Sequence, residues 1–314
     1  MIKLFSDSDL DGVSCAIIMS HVYDTNKIDT SFCNPKNIDS KIIEFIETGE
    51  YKAYKKIFIT DLAIKESTAK LIDSLDSFRF KLFDHHRSSL SNSKYSWAVV
   101  RESLHGRLTC GTELLWNHLR DHLQMYIDTD NTVIQYIDDY VEYVRLWDTW
   151  DWINEGSKGI YAKNLNTVFH IYSKTKFMNS MIKRINTNSD FITNIEETLI
   201  GIEEVRKTRY IEQKMKNVRT IKIGNLNIGY VFAEMHISEL GNYMVKNVPN
   251  IDAAAMINVD TNVVSLRSRK DSKVDLSKLA RSLSYSGGGH SSSAGFVFDS
   301  VHSDHLIRKI FKLK

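Results

Sequence analysis

The amino-acid sequence predicts an α/β protein, with a mainly parallel sheet in its N-terminal part and a smaller α/β domain at its C-terminal end. Over the first 90 residues, short apolar runs alternate with segments whose apolar residues recur at helical spacing. Three of the apolar runs end directly at acidic residues, and the carboxyl ends of parallel strands line one common crevice. Strand-rich sequence returns near residue 221, which indicates the second domain.

The N-terminal elements are predicted in a regular order. Strands are expected over Ile2–Phe5, Lys56–Thr60 and Phe78–Phe83, and helices over Gly12–His21, Ile38–Glu47 and Glu66–Leu75. Residues 111 to about 218 are expected to be mostly helical, because strand patterns are lacking there and the segment Glu196–Met215 is charged throughout. That segment is predicted to be a connecting helix.

The C-terminal region is predicted to contain strands at Ile221–Ile223 and Asn227–Phe232. A further pair, Ile251–Val259 and Val263–Arg267, flanks an Asp-Thr-Asn sequence that is typical of a hairpin. We therefore predict an N-terminal domain over residues 1–190, a helical connector over 191–218 and a smaller domain over 219–314, with the main boundary near residue 218.

The composition is typical of a globular protein and excludes several classes. The chain has 314 residues, of which 42% are hydrophobic and 25% charged, and no apolar run is long enough for a membrane helix. Three cysteines at unrelated spacings and an acidic N-terminal segment favour a cytoplasmic protein without a disulfide framework. A net charge of +2 is too small to identify a nucleic-acid binder, so a polyanionic partner would need local positive charge or metal ions.

An acidic loop follows the first predicted strand. Asp7, Asp9 and Asp11 lie on alternate positions, so their carboxylates can point the same way, and Gly12 permits a close approach at the helix start. Three like charges repel one another unless cations lie among them. A solvated acidic turn that caps the next helix is the alternative interpretation, and this loop lacks the residues of an EF-hand.

Other acids and histidines follow later strands. Asp61 ends the strand Lys56–Thr60 and could either cap the next helix or bind a metal. Asp84, His85 and His86 follow an apolar strand and combine the oxygen and nitrogen ligands that manganese-like ions accept. Asp148 lies among tryptophans, where an unpaired buried carboxylate would be costly, so it needs a basic partner or a metal.

These residues carry a family resemblance. Asp9-x-Asp11-Gly12, Thr60-Asp61, Asp84-His85-His86 and Asp148 occur in the order of the four motifs of the DHH phosphoesterase superfamily. The C-terminal stretches Ser265–Arg269, Ser286–His290 and Ala294–Phe296 resemble its companion DHHA1 domain. Within the superfamily the chain is most similar to NrnB-type oligoribonucleases (nano-RNases), through shared phrases at Ser6–Gly12, Phe58–Ala63, Gly106–Thr109 and Tyr143–Trp152.

The resemblance implies a site for two Mn²⁺ ions, with Mg²⁺ or Co²⁺ as other options. Asp9 and Asp61 would hold one ion, and the second would be held by Asp11, Asp61, His85 and Asp148. Asp84 would orient a histidine, and His86 would face the substrate phosphate as a catalytic residue. One position departs from the oligoribonuclease pattern, which usually has His where this chain has Asp7. The resulting loop resembles that of RecJ exonucleases, and Asp7 could itself be a metal ligand.

The C-terminal motif predicts a phosphate-binding region. Gly287, Gly288 and Gly289 can expose successive N–H groups to an anion, and His290 adds a donor. Arg267, next to Ser268, offers a planar fork that suits phosphate oxygens. A flexible glycine loop is the alternative interpretation.

Together these features predict an enzyme that degrades short single-stranded RNA or DNA to mononucleotides, acting on oligoribonucleotides in particular. Homodimerisation is a further expectation from the family. Three other functions stay open: a RecJ-like exonuclease acting on longer single-stranded DNA, a phosphoesterase acting on small nucleotides such as dinucleotides, and an inactive nucleotide-binding protein. An interaction protein that docks through its tryptophans is another alternative.

Overall fold

The computed structural model describes residues 1–75, 77–126, 131–269, 271–284 and 286–312. The chain divides into two compact units, residues 1–200 and 201–314. The division lies within a long helix, Asn194–Met215, which occupies most of the predicted connector. It lies earlier in the chain than the predicted boundary near residue 218.

The first unit contains a five-stranded parallel sheet with the strand order β2-β1-β3-β4-β5. Its strands are β1 (Ile2–Asp7), β2 (Ile28–Cys33), β3 (Lys56–Thr60), β4 (Phe80–Asp84) and β5 (Ala98–Val100). A small hairpin of β6 (Ser103–Leu104) and β7 (Arg107–Leu108) follows. The helices are α1 (Leu10–Val22), α2 (Ile38–Glu47), α3 (Glu66–Asp73), α4 (Gly111–Tyr126), α5 (Asn131–Asp148), α6 (Gly156–Ile171), α7 (Lys174–Asn186) and α8 (Asn194–Met215). The predicted α/β class is confirmed.

The sheet is buried on both faces. Alternate residues of one strand point to opposite faces, and accordingly Leu4 and Phe5 of β1 belong to two different apolar cores. One core contains the apolar side chains of α1, α4 and α5, and the other contains those of α2 and α3. Two strands of this sheet, β2 and β5, were missing from the prediction. In β2 most residues are only half-buried at a sheet edge, and β5 has three residues, so neither forms a clear apolar run.

The strand order places the acidic strand ends side by side. The chain runs from β1 to β2 on one side of β1 and then crosses over to β3 on its other side. A crevice opens at the carboxyl ends of the strands where the strand order reverses in this way. Strands β1, β3 and β4 are direct neighbours, and they end at Asp7, Thr60 and Asp84. The three acidic loops therefore meet at one edge of the sheet.

The second unit has a six-stranded mixed sheet with the order β12-β13-β11-β10-β9-β8. Its strands are β8 (Arg219–Ile223), β9 (Leu226–Phe232), β10 (Ala253–Asn258), β11 (Val263–Arg267), β12 (Gly288–Gly289) and β13 (Ser293–Val297). The helices are α9 (Ile237–Asn247), α10 (Leu276–Leu283) and α11 (Ser300–Ile310). The hairpin predicted around Asp260-Thr261-Asn262 is confirmed, because β10 and β11 pair antiparallel. Within the described parts of the chain, no helix combines the length and apolar character needed to cross a bilayer.

The last turn of α1 contains a histidine that the fold keeps neutral. Burial lowers the pKa of His21 from 6.5 to about 4, although a hydrogen bond with Asn186 opposes this effect, and the Nε2 atom is buried without a hydrogen-bond partner. Between pH 6.5 and 4 the unfolded chain therefore binds more protons at His21 than the folded protein does. The neutral His21 side chain costs the folded protein nothing above pH 6.5, and the unfolding free energy falls as the pH is lowered below that value.

We expect the substitution His21→Gln to reduce the loss of stability on acidification. Between pH 7.5 and 4.5 the wild-type protein should lose up to about 3 kcal/mol more unfolding free energy than the variant. Urea unfolding of both metal-free proteins at several pH values measures this difference, in which the contributions of the carboxylates cancel. Parallel pH profiles for the two proteins would contradict the assignment.

Candidate metal centre and phosphate-binding region

The acidic loop after β1 joins the strand tightly to α1. Asp9 is the N-cap of α1 and accepts a hydrogen bond from Gly12 N at 3.0 Å, as the capping interpretation predicts. A Cβ atom at Gly12 would lie 2.3 Å from the carbonyl oxygen of Asp7, so the prediction that Gly12 permits a close approach is confirmed. Burial, and then the charge of Asp9, raise the pKa of Asp7 to about 6.

Asp11 is held by the start of a helix distant in sequence. Its two carboxylate oxygens accept hydrogen bonds from Gly111 N at 2.6 Å and Thr112 N at 2.8 Å. The hydroxyl of Thr112 also donates to the backbone carbonyl of Asp11 at 2.7 Å. Because the first N–H groups of a helix favour negative charge, the start of α4 holds this buried carboxylate in place.

Asp61 follows β3 in a backbone conformation that is uncommon for residues other than glycine. Its φ is +55°, and its N–H donates to Phe83 O at 2.8 Å. Asp61 is almost completely buried. Burial, followed by the charges of Asp11, Asp9 and Asp148, raises its pKa well above the usual value. Backbone strain and an unfavourable buried charge at one residue are typical of functional sites.

Three of the predicted carboxylates converge on one ring nitrogen of His85. Nε2 of His85 lies 3.2 Å from Asp61 Oδ1, 3.4 Å from Asp148 Oδ2 and 3.9 Å from Asp11 Oδ2. The Oδ2 atom of Asp148 is buried and accepts no hydrogen bond. Burial is the largest cause that raises the pKa of Asp148 to about 7, and the charge of His85 opposes it.

Asp84 lies behind the two histidines and is completely buried. It accepts hydrogen bonds from His85 N at 2.9 Å, from His86 Nδ1 at 2.7 Å and from the hydroxyl of Ser89. Burial alone would lower the pKa of His86, but the hydrogen bond to Asp84 and the surrounding carboxylates raise it to about 9. These interactions favour the protonated form of His86, whose side chain is 35% exposed.

The cluster has the chemistry of a divalent-metal site. Asp11, His85 and Asp148 form one group of potential ligand atoms, and Asp61, His85 and His86 form another. Carboxylate oxygens suit Mn²⁺ and Mg²⁺, and imidazole nitrogens suit first-row transition metals, so this mixed set fits Mn²⁺ and related divalent ions. A cation would also provide a partner for the orphan oxygen of Asp148 and relieve the repulsion around Asp61.

Sequence reasoning missed two residues of this region. Gly111 and Thr112 supply the donors to Asp11, and a Cβ atom at Gly111 would lie 2.7 Å from Asp61 Cβ and 3.1 Å from Asp11 Oδ2. The one available signal was the glycine at the start of a predicted helical region. It does not indicate which acid the helix approaches, because Asp11 and Gly111 are far apart in sequence.

The tryptophans around Asp148 form a compact cluster. The ring centroids of Trp147, Trp150 and Trp152 are 5.5 to 5.8 Å apart. Trp147 packs against the apolar core of the first unit, and the other two rings pack against it. All three residues are half-buried. The three rings therefore extend the apolar core of the first unit.

In the second unit, Arg267 is held against the start of α9. Its Nη2 donates to the hydroxyl of Ser238 at 2.8 Å, and its Nη1 donates to Leu266 O at 2.9 Å. A Cβ atom at Gly241 would lie 2.7 Å from Arg267 Cγ, so only glycine leaves space for the arginine stem. The neighbouring Ser268 is 5% exposed, and its hydroxyl has no hydrogen-bond partner.

The glycine segment 287–289 makes backbone contacts that the predicted anion-binding loop would not have. Gly287 N donates to Ser284 O at 2.9 Å, and a Cβ atom at Gly287 would lie 2.0 Å from Ala280 O in α10. Gly288 and Gly289 pair with β13, and His290 N donates to Ser293 O at 2.7 Å. The expectation of three successive free N–H groups is therefore wrong for Gly287, because the turn that packs on α10 already uses its N–H. The imidazole of His290 is exposed.

Comparisons with known proteins agree with this fold and site. No protein-family model matches the chain. Oligoribonuclease NrnB of Bacillus subtilis (strain 168) is 31% identical over 318 residues, which cover 100% of this chain and 77% of that protein.

Solved structures share the fold, among them two RecJ exonucleases. The exonuclease RecJ bound to manganese has a TM-score of 0.62 at 12% identity, over 98% of this chain and 88% of that chain. RecJ of Thermus thermophilus in complex with Mn²⁺ has a TM-score of 0.57 at 11% identity, over 98% and 51% of the two chains. With the NrnB match, they establish that the chain belongs to the DHH phosphoesterase superfamily and is a hydrolase of its nuclease and phosphodiesterase type.

Proposed function

We propose that this enzyme hydrolyses short single-stranded oligonucleotides, preferentially oligoribonucleotides, to mononucleotides with the help of two Mn²⁺ ions. The observation that carries the proposal is the convergence of Asp11, Asp61 and Asp148 on Nε2 of His85. The 31% identity to oligoribonuclease NrnB supports the choice of substrate.

The ligand sets are those that the family resemblance implies, and the contacts of His85 with Asp11, Asp61 and Asp148 support the first of them. Asp11, Asp61, His85 and Asp148 would hold one ion, and Asp61 would share the second with Asp9. Asp7 would add an oxygen donor beside Asp9. Bound divalent cations act as Lewis acids, drawing charge from a phosphoryl oxygen and from the leaving oxygen.

The histidine pair has two different roles in this proposal. His85 faces the carboxylates and serves as a ligand. His86 keeps its proton because Asp84 accepts a hydrogen bond from Nδ1, so its other ring nitrogen is a charged donor for a phosphate oxygen or for the leaving oxygen. Asp84 acts through His86 and through the backbone N–H groups of the loop, as a positioning residue.

The second unit would bind a phosphate group of the substrate. Arg267 brings a planar cation to the start of α9, where the first N–H groups favour anions. The buried hydroxyl of Ser268 has no hydrogen-bond partner and can donate to a phosphate oxygen. His290, Gly288 and Gly289 remain the proposed contacts from the glycine loop. An enzyme that holds a terminal phosphate in this way favours short substrates.

A length-resolved substrate panel tests the proposal. The purified full chain is incubated with RNA and DNA of two to about thirty nucleotides, with linear and cyclic dinucleotides and with 3′-phosphoadenosine 5′-phosphate, in Mn²⁺, Mg²⁺, Co²⁺ or EDTA. We expect conversion of two- to five-nucleotide RNA to mononucleotides with Mn²⁺ and no turnover in EDTA. Faster cleavage of long DNA, hydrolysis of dinucleotides alone, or binding without turnover would each support one of the other functions instead.

We expect the substitution Arg267→Lys to weaken substrate use without changing metal binding. Lysine keeps the charge but loses the fork, so kcat/KM for a dinucleotide should fall by roughly 10- to 100-fold, or about 1.4–2.7 kcal/mol. Steady-state kinetics and a Mn²⁺ titration measure the two effects. Arg269→Lys is the matched control, because Arg269 is exposed and lies 3.9 Å from its partner Asp271. Equal losses in both variants would argue against a specific role for Arg267.

A further inference from the structure

Arg145 is a buried cation beside the turn that carries Asp148. The residue is 3% exposed, and Nε and Nη2 donate to the two carboxylate oxygens of Glu142 at 3.0 and 2.8 Å. Nη1 donates to Asp151 Oδ2 at 2.9 Å and to Leu108 O at 3.2 Å. One guanidinium thus binds its own helix, the turn after that helix and the hairpin strand β7.

The contacts of Arg145 fix the backbone on both sides of Asp148. The carbonyl oxygen of Arg145 accepts hydrogen bonds from Thr149 N at 2.9 Å and from the Thr149 hydroxyl at 2.8 Å, and the guanidinium draws Asp151 back towards α5. Asp148 lies between these contacts in the chain. Its orphan oxygen, 3.4 Å from His85 Nε2, therefore belongs to a residue whose backbone is fixed on both sides.

The same guanidinium reaches the segment that holds Asp11. Leu108, whose carbonyl accepts from Arg145, is the last residue of β7 and shortly precedes Gly111 and Thr112, the two N–H donors to Asp11. A shift of Leu108 would be transmitted through two intervening residues to the start of α4.

A second arginine strengthens this connection. Arg107 Nη2 lies 2.7 Å from Glu113 Oε1, and its Nη1 lies 3.2 Å from Glu142 Oε2. Glu142 therefore joins Arg107 and Arg145, so the hairpin β6–β7 is attached to α5 by two cations that share one carboxylate.

We propose that Arg145 is a positioning residue that sets the spacing between Asp11 and Asp148. The inference rests on the proposed function, because spacing of these carboxylates matters only if they share metal ions. Partners behind metal ligands fix ligand orientation, and their loss weakens metal binding. A lysine cannot replace Arg145, since one ammonium cannot meet Glu142, Asp151 and Leu108 O in the geometry of a planar fork.

The test compares Arg145→Lys with the wild-type protein. Isothermal titration of the metal-free proteins should show a Mn²⁺ affinity lowered by about 10-fold in the variant, the lower end of the range for direct partners of metal ligands, because Arg145 acts on the ligands through the backbone. Oligonucleotide hydrolysis at limiting Mn²⁺ should fall with the affinity and recover in part at high Mn²⁺. Thermal unfolding of both metal-free proteins measures any accompanying loss of stability.

Arg184→Lys provides the matched control. Arg184 is also mostly buried and also binds a carbonyl and a carboxylate, Phe191 O at 2.6 Å and Glu196 Oε1 at 2.8 Å. It belongs to α7, whose last residue, Asn186, contacts His21 at the end of α1 opposite to Asp11. This variant should lose comparable thermal stability and keep the wild-type Mn²⁺ affinity.

Asp151→Asn is a second variant for the case in which Arg145→Lys does not fold. It should fold, because it removes one charge from a side chain that is 30% exposed. We expect it to weaken Mn²⁺ binding by about 3- to 10-fold, a smaller share of the effect expected for outer partners. Unchanged Mn²⁺ affinity in every folded variant would overturn the inference and leave the proposed function intact. Failure of the wild-type protein to bind Mn²⁺ would instead refute the metal centre, and this inference with it.

Discussion

Replacement of Asp61 by asparagine is expected to abolish hydrolysis and to stabilise the metal-free protein at the same time. Asp61 is buried close to Asp11, Asp9 and Asp148, and it is the proposed ligand of both ions. We expect Asp61→Asn to lower kcat/KM by roughly a thousandfold, or about 4 kcal/mol of transition-state stabilisation. Because asparagine keeps the shape but carries no charge, the metal-free variant should gain about 1–2 kcal/mol of unfolding free energy.

The backbone makes asparagine a suitable substitute at this position. Asp61 has a φ of +55°, a conformation that asparagine adopts as readily as aspartate. Kinetics in Mn²⁺ and thermal unfolding in EDTA give the two readouts. Asp39→Asn is the control, since Asp39 accepts hydrogen bonds from Lys65 N and Thr68 Oγ1 within the same unit, and its loss should cost stability with no effect on turnover. If Asp61→Asn kept its activity, Asp61 could not be the metal ligand that we propose.

Replacement of Gly111 by alanine is expected to disrupt the centre without removing any ligand. The added Cβ would lie 2.7 Å from Asp61 Cβ, 3.0 Å from Asp61 Cα and 3.1 Å from Asp11 Oδ2. The carboxylates must move apart or the start of α4 must shift, and the hydrogen bond from Gly111 N to Asp11 is then lengthened. We expect Mn²⁺ affinity and kcat/KM each to fall by roughly a hundredfold, a loss of about 2.7 kcal/mol.

Gly201→Ala is the matched control for this substitution. Gly201 lies within α8, and a Cβ there would meet no heavy atom within 4 Å. Alanine should therefore stabilise the protein by up to about 1 kcal/mol through helix propensity alone and leave Mn²⁺ binding unchanged. If Gly111→Ala behaves like Gly201→Ala in a Mn²⁺ titration, the close packing at the start of α4 does not govern the metal centre.

The sequence predicts the acidic strand ends well because a simple topological rule applies to them. Apolar runs that stop at Asp7, Asp61 and Asp84 identify parallel strands, and the carboxyl ends of such strands share one edge. The convergence of Asp148 could be anticipated only through the family resemblance, since α5 gives no indication of which loop its end approaches. The predicted β10–β11 hairpin was recognisable because its turn chemistry is local.

The supporting contacts could not be predicted, because they join segments distant in sequence through groups without a distinctive pattern. The N–H groups of Gly111 and Thr112 exist in any helix start, and nothing local assigns them to Asp11. Arg145 resembles an ordinary charged residue of an amphipathic helix, although it is buried. Gly287 was interpreted as an anion-binding residue, whereas its close contact with Ala280 gives it a packing role.

Helix α1 is buried along most of its length and has an ionisable site at each end. Burial and the charge of Asp11 raise the pKa of Asp9 at its N-terminal end, whereas burial keeps His21 in its last turn uncharged. Acidification therefore acts at both ends of the helix, since protons would compete with the proposed metal ions at one end and force a positive charge into the protein interior at the other. The proposed metal binding and the stability of the N-terminal unit would thus both weaken at low pH through groups on one helix.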